Sequence, residues 1–321
     1  MSTGSPIPPR VLILGTGAMA TTLGAHLARA EEAEVTLAGR WTAALEAIRR
    51  HGVRVEDASG VWTSRPGATP IAAAPEADIV LVLVKSTQTD APEIARAVRR
   101  AAEAGALVVT LQNGLGNREA LQGAAGVDRV AVGVATLGAT LLGPAHVRVF
   151  PGDVVLAREG RPATDARLEH LASLLSRAGI PAATSPDVEP VVWGKLAVNC
   201  AINPLAALTG LTNGALLEHP RLRTLMSRAA REVSDVATAK GIPLPEDPAE
   251  RAEAVAQATG QNRASMLQDL ERGVPTDIAF LNGAVVAEAA RHRVPTPVNE
   301  WLWRSVRARE AALSVRSRLS A

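Results

Sequence analysis

The pattern of apolar and polar positions changes about halfway along the chain. In the first half, short apolar runs bounded by Gly and Pro predict strands at 11–14, 34–38, 77–84, 107–111, 130–134, 146–150 and 154–157. The run ADIVLVLV at 77–84 is nearly all apolar, which is typical of a parallel strand buried on both faces. Helical patterns at 19–30 and 90–103 separate the strands, and this alternation predicts a doubly wound sheet.

The second half of the chain, beyond a break at Pro186–Pro190, has helical periodicity and almost no strand pattern. Prolines punctuate its apolar segments, which predict helices at 189–209, 218–240, 249–258, 276–293 and 297–315. We therefore predict an α/β domain over residues 1–186 and an all-helical domain over residues 187–321.

A glycine-rich turn follows the first predicted strand and opens the first predicted helix. The segment VLILGTGAMA places six residues there: Gly15, Thr16, Gly17, Ala18, Met19 and Ala20. Glycines allow a tight turn and a close backbone approach, and a helix N-terminus offers N–H groups to a pyrophosphate. Because the motif lies in the first βα turn, it predicts a Rossmann-type dinucleotide-binding domain. The alternative is a glycine-rich turn without a ligand.

The end of the second predicted strand bears on which dinucleotide binds. A site for NAD carries Asp or Glu there, for the ribose 2′-hydroxyl, whereas this chain reads VTLAGRW with Arg40 at that place. A cation suits a 2′-phosphate, so NADP(H) is favoured. The alternative is that Arg40 is one of many surface arginines. Lys85 and the segment 112–114 each follow a later strand and are expected at the same carboxyl edge of the sheet.

Three polar side chains stand at every fourth position of an otherwise apolar segment, WGKLAVNCAINPL. They are Lys195, Asn199 and Asn203, and residues four apart on a helix are offset by only about 40°. A helix that is apolar nearly all round is buried, and a buried lysine is costly unless it has partners. We therefore expect this stripe to line a polar cleft between the two domains. The alternative is a short stripe that touches water at the domain edge.

Lysine is rare in this chain, which marks the lysine of the stripe as a candidate for acid–base chemistry. Of the 34 basic residues, only Lys85, Lys195 and Lys240 are lysines. A partly buried ammonium can release its proton, and a guanidinium cannot. In a dry cleft, Lys195 would stabilise a carbonyl oxygen and protonate it as a nicotinamide delivers hydride to the carbon. Lys240, directly before Gly241, is expected at the surface where a helix ends.

Composition limits which partners the protein binds and which cellular compartment it occupies. The net charge of +2, without a basic run that carries interleaved aromatics, argues against nucleic acid. No uninterrupted apolar window is long enough for a membrane span. The single cysteine, Cys200, cannot form an internal disulfide, which favours a reducing, cytoplasmic compartment. The six histidines form no pair at metal-ligand spacing, so no metal site is expected. A homodimer is the assembly we consider.

The motifs, taken in chain order, resemble those of the ketopantoate reductase (2-dehydropantoate 2-reductase) family. They are the glycine motif, VK-x-x-Q with Lys85 and Gln88, LQNG at 111–114, W-x-K-x-x-x-N-x-x-x-N, and NRASMLQDLERGVPTDIAFLNG at 262–283. The resemblance implies a helical C-terminal domain of the 6-phosphogluconate dehydrogenase type. It also implies NADPH-dependent reduction of 2-dehydropantoate, a 2-oxo acid, to pantoate in pantothenate and coenzyme A biosynthesis.

The resemblance implies roles for residues of the helical half. Lys195 would be the general acid, while Asn199 and Asn203 would hold the hydroxyl and carbonyl region of the substrate. Ser265 would bind the substrate carboxylate. Asp277 stands where the family has a glutamate that pairs with active-site groups, and it is one methylene shorter. For Ser265 and Asp277, the alternative reading is that both cap helix N-termini.

The same resemblance implies roles in the α/β half. Arg40, Lys85 and Gln88 would bind the adenine-ribose end of the cofactor, and Asn113 would lie near nicotinamide and substrate.

Two further departures leave the identity of the 2-oxo acid open. Ala279 replaces an acidic residue, and Leu137 stands where many members have histidine. One alternative is therefore a related NADP-dependent reductase of another branched 2-oxo acid. Another is a non-catalytic NADP(H)-binding sensor on the same fold.

Overall fold

The computed structural model describes residues 8–158 and 165–319, with the backbone alone for 315–319. The strands are β1 (Arg10–Leu14), β2 (Glu34–Gly39), β3 (Val53–Asp57), β4 (Gly60–Ser64), β5 (Gly67–Pro70), β6 (Ile79–Val82), β7 (Leu107–Thr110), β8 (Val130–Ala135), β9 (Gly138–Gly143), β10 (His146–Phe150), β11 (Val154–Ala157) and β12 (Ala182–Thr184). The helices are α1 (Ala18–Arg29), α2 (Thr42–His51), α3 (Pro92–Glu103), α4 (Asn117–Ala125), α5 (Ala166–Arg177), α6 (Glu189–Thr209), α7 (Pro220–Ala239), α8 (Pro248–Ala258), α9 (Ser265–Glu271), α10 (Asn282–His292) and α11 (Pro297–Leu319).

The larger of two sheets contains eight strands in the order β12–β11–β8–β7–β6–β1–β2–β5. Six neighbouring strands of this sheet, β5, β2, β1, β6, β7 and β8, are mutually parallel. Strand β11 is antiparallel to β8. Strand β2 pairs with one edge of β1 and β6 pairs with the other, so the strand order reverses at β1. In open α/β sheets, ligands bind beyond the carboxyl ends of the strands at such a point. The smaller sheet has the order β4–β3–β10–β9.

Strand β6 shows why the continuous apolar run at 77–84 predicts a central strand. All four of its residues are buried. Ile79 and Leu81 belong to the apolar cluster on one face of the sheet, while Val80 and Val82 belong to the cluster on the other. Successive side chains of a strand point to opposite faces, so a strand covered on both sides must be apolar at every position.

All seven predicted strands are found close to their predicted bounds, and the α/β fold class with a helical C-terminal half is confirmed. The sequence patterns missed β3, β4, β5, β9, β12, α2, α4, α5 and α9. The missed strands have few buried residues. In β4, for example, only Ser64 is buried, so the apolar signal that identifies the central strands is absent there.

By its internal contacts the chain divides into two compact units. The first contains residues Met1–Gln112 and Asn117–Val188, and the second contains Asn113–Gly116 and Glu189–Ala321. We call these the α/β unit and the helical unit. The predicted domains, a cofactor-binding domain over 1–186 and a substrate domain over 187–321, stay a prediction.

Helix α6 is the central helix of the helical unit, where α7, α8, α9 and α11 pack against it. It runs through Pro204, which has no N–H to donate to the carbonyl four residues earlier. That carbonyl belongs to Cys200, which is fully buried. The side-chain amide of Asn282 donates to it at 3.0 Å. A residue of α10 therefore supplies the hydrogen bond that the proline removes.

The same asparagine begins a buried polar network that joins four helices. Asn282 Nδ2 also donates to Asn299 Oδ1 at 2.9 Å, and Asn299 Nδ2 donates to the Ala229 carbonyl at 3.0 Å. The carboxylate of Glu232 accepts from the backbone N–H groups of Val298 and Asn299, each at 2.9 Å. These two N–H groups lie at the N-terminus of α11, where a helix favours an anion. The network fixes α6, α7, α10 and α11 to one another.

The helix predicted over 276–293 begins six residues later than predicted, at Asn282. Residues 276–281 instead form tight turns in which the Asp277 carbonyl accepts from Phe280 N at 2.9 Å and Leu281 N at 3.0 Å. Ile278 and Leu281, three residues apart, imitate the spacing of a helix because the turns bury both side chains in the core.

Helix α6 is long and apolar enough to cross a membrane by length and composition alone. However, 61% of its most apolar 18-residue segment is buried inside the protein. The core helix of a globular unit meets the same two criteria, and α6 has the packing of such a helix.

The two tryptophans of α11 have different environments. Trp303 packs against the apolar cluster of the helical unit, whereas 53% of the Trp301 surface is exposed. The homodimer considered above stays a prediction.

Candidate active site

The glycine turn after β1 has the backbone geometry that a dinucleotide phosphate requires. Gly15 has φ of +133°, and a Cβ there would lie 2.8 Å from the Leu83 carbonyl oxygen. Gly17 is the N-cap of α1 without a side-chain cap, and a Cβ there would meet nothing within 4 Å. The first turn of α1 contains no acidic residue. The first N–H groups of a helix lack partners within it, so this end of α1 fits an anion.

Arg40 lies where the sequence predicts it, directly after β2. Its side chain is 46% exposed, and its Nη1 lies 3.0 Å from Oε1 of Glu93. Gly39 lets the end of β2 approach the glycine turn closely, because a Cβ there would lie 2.6 Å from the Thr16 side chain. Arg40 is thus a cation near the glycine turn, on the strand next to β1, but it already has an acidic partner.

A short 3₁₀ turn follows β6, the strand on the other side of β1; Lys85 is its N-cap and Gln88 is its last residue. Both side chains are partly exposed, and the backbone N–H of Gln88 donates to the Lys85 carbonyl at 2.8 Å. This turn is at the carboxyl edge of the sheet, as predicted.

A polar network that the sequence motifs did not reveal holds this turn in place. Gln112 Nε2 donates to the Val84 carbonyl at 2.9 Å and to Thr89 Oγ1 at 2.7 Å. Thr89 Oγ1 donates to Asn117 Oδ1 at 2.9 Å, and Asn117 Nδ2 donates to Ser86 Oγ at 3.2 Å. Gln112 could have been suspected from its place in LQNG. Thr89 and Asn117 give no comparable signal, since neutral polar residues are common in loops.

Asn113 is partly exposed and belongs to a loop of the helical unit, 113–116. Leu115 N donates to the Phe280 carbonyl at 2.9 Å. Gly114 has φ of +85°, and a Cβ there would lie 2.2 Å from the same carbonyl oxygen. The glycine of LQNG therefore allows the Asn113 loop to lie directly against the 276–281 turns.

The three members of the stripe project from α6 but differ in exposure. Lys195 and Asn199 are partly exposed, whereas Asn203 is buried. Their neighbours Trp193, Leu196 and Cys200 are at most 2% exposed. The stripe therefore lies on a helix with one face in the core, and Val191, Val192 and Val198 near it are also partly exposed. The predicted cleft between domains stays a prediction.

The ammonium of Lys195 has an unusual proton affinity. Burial lowers its pKa from 10.5 to about 8, and the charge of Asp277 acts in the opposite direction. Asp277 is itself 8% exposed. The backbone turns of residues 276–281 hold it, and Thr276 N anchors them to Glu310 Oε1 at 2.8 Å. Despite its shorter side chain, Asp277 is thus near enough to Lys195 for their charges to interact.

Ser265 is exposed and is the first residue of α9, a helix that packs against α6. The capping alternative for Ser265 and Asp277 is wrong. Ala264 is the N-cap of α9, without a side-chain hydrogen bond, and α10 begins only at Asn282, with Leu281 as its N-cap.

The two departures from the family pattern have different environments. Leu137 is 6% exposed and belongs to the apolar core of the α/β unit. Ala279 is partly exposed within the 276–281 turns. Within residues 8–158 and 165–319, no group of three or more His, Cys, Asp or Glu side chains is arranged to hold a metal ion.

A dinucleotide-type glycine turn and a lysine of lowered pKa on a core helix are the components of an NAD(P)-dependent oxidoreductase. Comparison with known proteins defines the group more closely. The family model described as ketopantoate reductase PanE/ApbA matches residues 11–158, and its C-terminal counterpart matches residues 187–310. The chain belongs to the ketopantoate reductase family.

Individual relatives agree with this membership. The chain is 38% identical to a 2-dehydropantoate 2-reductase of Halobacterium salinarum, over 90% of this chain and 95% of that one. It is 35% identical to the protein of the same name from Archaeoglobus fulgidus, over 95% and 99%. The crystal structure of a PanE/ApbA family ketopantoate reductase from Ralstonia eutropha superposes with a TM-score of 0.85 at 34% identity, covering 95% of this chain and 99% of that one.

Proposed function

We propose that this protein reduces 2-dehydropantoate to pantoate with NADPH. The observation that carries the proposal is the Lys195 ammonium, whose burial lowers its pKa to about 8 on a helix with two further polar residues in register. The relatives named 2-dehydropantoate 2-reductase support the choice of substrate. The N-terminus of α1 supports binding of a dinucleotide, and the missing carboxylate at the end of β2 supports one that carries a 2′-phosphate.

When bound, the nicotinamide supplies the hydride that reduces the substrate carbonyl carbon. The protein must then stabilise and protonate the carbonyl oxygen. Lys195 donates a hydrogen bond to that oxygen and then gives it the Nζ proton. With a pKa of about 8 the ammonium is mostly protonated at neutral pH, yet it loses its proton far more readily than an ordinary lysine.

The neighbouring residues orient the substrate and tune the lysine. Asn199 and Asn203 hold the hydroxyl and carbonyl region through amide groups that donate and accept without adding charge. Ser265 binds the substrate carboxylate through its hydroxyl. Asp277 keeps the pKa of Lys195 from falling further, so the proton is still present at the pH of a cytoplasm.

Each predicted cofactor residue has a part in holding NADPH. The backbone of Gly15–Ala20 holds the pyrophosphate at the N-terminus of α1. Arg40 and Lys85 provide positive charge for the 2′-phosphate end, and Gln88 borders the adenine-ribose. Asn113 lies near the nicotinamide and the substrate. A cytoplasmic location belongs to the same proposal, supported by one cysteine that is fully buried.

A second candidate is the reduction of another branched 2-oxo acid. Asp277 favours it, because a carboxylate one methylene shorter leaves more room beside Lys195 than the usual glutamate. The reaction and the catalytic residues would be the same.

The deciding experiment follows NADPH oxidation in the presence of 2-dehydropantoate and, separately, of other branched 2-oxo acids. A kcat/KM for 2-dehydropantoate at least about tenfold above the others supports the first assignment. A higher value for another acid selects the second candidate. Binding of NADPH without turnover of any acid would contradict both, and would leave a non-catalytic binding protein.

A further inference from the structure

The ion pair between Arg40 and Glu93 places a carboxylate in the predicted 2′-phosphate site. The Arg40 Nη1 and Glu93 Oε1 atoms are 3.0 Å apart. Glu93 does not belong to β2, where acidic residues of NAD sites are found. It comes from the first turn of α3, the helix that follows the loop carrying Lys85 and Gln88. The sequence motifs single out Arg40 and give no indication of Glu93.

The position of Glu93 favours its negative charge. It follows Pro92 at the N-terminus of α3, and the N-cap Ala91 provides no side-chain hydrogen bond to that end. A carboxylate in the first turn of a helix interacts favourably with the helix dipole. The Glu93 side chain is 28% exposed, so it is partly shielded from water but accessible to a ligand that binds Arg40.

We propose that Glu93 is a specificity-determining residue that lowers the preference of this protein for NADP(H) over NAD(H). The inference rests on the proposed phosphate-binding role of Arg40. A 2′-phosphate carries a charge of about −1.5 to −2 near neutral pH, by analogy with other phosphate monoesters. It must compete with Glu93 for the guanidinium and is repelled by the carboxylate. NAD(H) has a neutral 2′-hydroxyl and meets no such repulsion, while the remaining contacts of the two dinucleotides are the same.

The test compares the dissociation constants of NADP⁺ and NAD⁺, measured by calorimetry without substrate, in the wild type and in Glu93→Gln. The substitution keeps the size of the side chain and removes the charge. We expect the ratio of the NAD⁺ constant to the NADP⁺ constant to rise roughly tenfold, mainly through tighter NADP⁺ binding. Glu93→Ala should change the ratio in the same direction. Glu103→Gln, at the exposed far end of the same helix, is the matched control and should change it less than about twofold.

A rise of less than about fivefold in both Glu93 variants, or an equal rise in the Glu103 control, would overturn the inference. This result is separable from the proposed function. A wild-type protein that reduces 2-dehydropantoate while Glu93→Gln leaves the ratio unchanged refutes only the role of Glu93. A ratio that rises in a protein that reduces no 2-oxo acid refutes only the substrate assignment.

Discussion

Asp277 raises the pKa of Lys195, while burial lowers it further than Asp277 can restore, so the lysine titrates at about 8. The two residues come from different parts of the helical unit. Lys195 lies on a continuous core helix, and Asp277 lies in a set of tight turns. Two separate features therefore set the pKa of Lys195: the apolar packing around α6 and the position of the Asp277 carboxylate.

The first prediction concerns the pH dependence of reduction. Lys195 must carry a proton to act as general acid, so kcat/KM should be constant below its pKa and fall as pH rises through about 8. In Asp277→Asn, the effect that raises the pKa is removed and only the lowering effect of burial remains. The falling limb should therefore move to lower pH, by roughly one unit. The measurement is kcat/KM from about pH 6 to about pH 10.

Asp277→Glu is the matched control for this pH profile. It restores the side chain that is usual in the family and keeps the charge, so its falling limb should stay within about half a unit of the wild type. A limb that does not move in Asp277→Asn would mean that Asp277 has no electrostatic influence on the group that titrates.

The second prediction separates charge from proton transfer at residue 195. Lys195→Arg keeps a positive charge, but a guanidinium does not give up its proton. We expect Lys195→Arg and Lys195→Ala to bind NADPH with nearly unchanged affinity and to lose at least about 100-fold in kcat. Lys240→Arg, in which the partner Glu288 can still be reached, should retain activity within about threefold. If Lys195→Arg kept wild-type turnover, Lys195 would not be the proton donor.

The sequence predicted the helices and strands whose buried faces produce a regular pattern of apolar residues. It missed elements whose position depends on contacts between distant parts of the chain. β6 and α6 were found because both are surrounded by apolar side chains. The turns at 276–281 were mistaken for helix because burial gave them a helical spacing of apolar residues. Position alone predicted Arg40 at the end of β2. Its pairing with Glu93 depends on how the end of β2 meets the start of α3, which no local pattern encodes.

The third prediction uses two glycines of one loop with almost the same backbone conformation. Gly114 has φ of +85° and Gly116 has φ of +89°, so alanine strains the backbone similarly at both. A Cβ at Gly114 would also lie 2.2 Å from the Phe280 carbonyl oxygen, whereas one at Gly116 would meet nothing within 4 Å. Gly114→Ala must therefore displace the loop that carries Asn113.

We expect Gly114→Ala to lower kcat/KM for reduction at least about tenfold more than Gly116→Ala does. It should also destabilise the protein by about 1–3 kcal/mol more in chemical denaturation. Equal effects in the two variants would mean that backbone strain alone matters and that the contact with Phe280 does not fix the loop.

The fourth prediction concerns the hydrogen bond that replaces the one removed by Pro204. Asn282→Ala leaves the buried Cys200 carbonyl without its donor and also ends the bond to Asn299. We expect a loss of about 2–4 kcal/mol in the free energy of unfolding. Pro204→Ala introduces a backbone N–H at the position from which a regular helix bonds to residue 200. In that background the same Asn282→Ala substitution should cost about 1 kcal/mol less, because the carbonyl again has a donor.

The double-mutant cycle distinguishes this explanation from a purely steric role of Asn282. If the side chain only fills space, the two substitutions are additive, since the cavity left by Asn282→Ala does not depend on residue 204. If it replaces the missing donor, they are coupled. Because Cys200 follows Asn199 directly on α6, the bond also helps to hold the helix that carries Lys195. In Pro204→Ala, the Asn282→Ala substitution should then reduce kcat less than it does in the wild-type background.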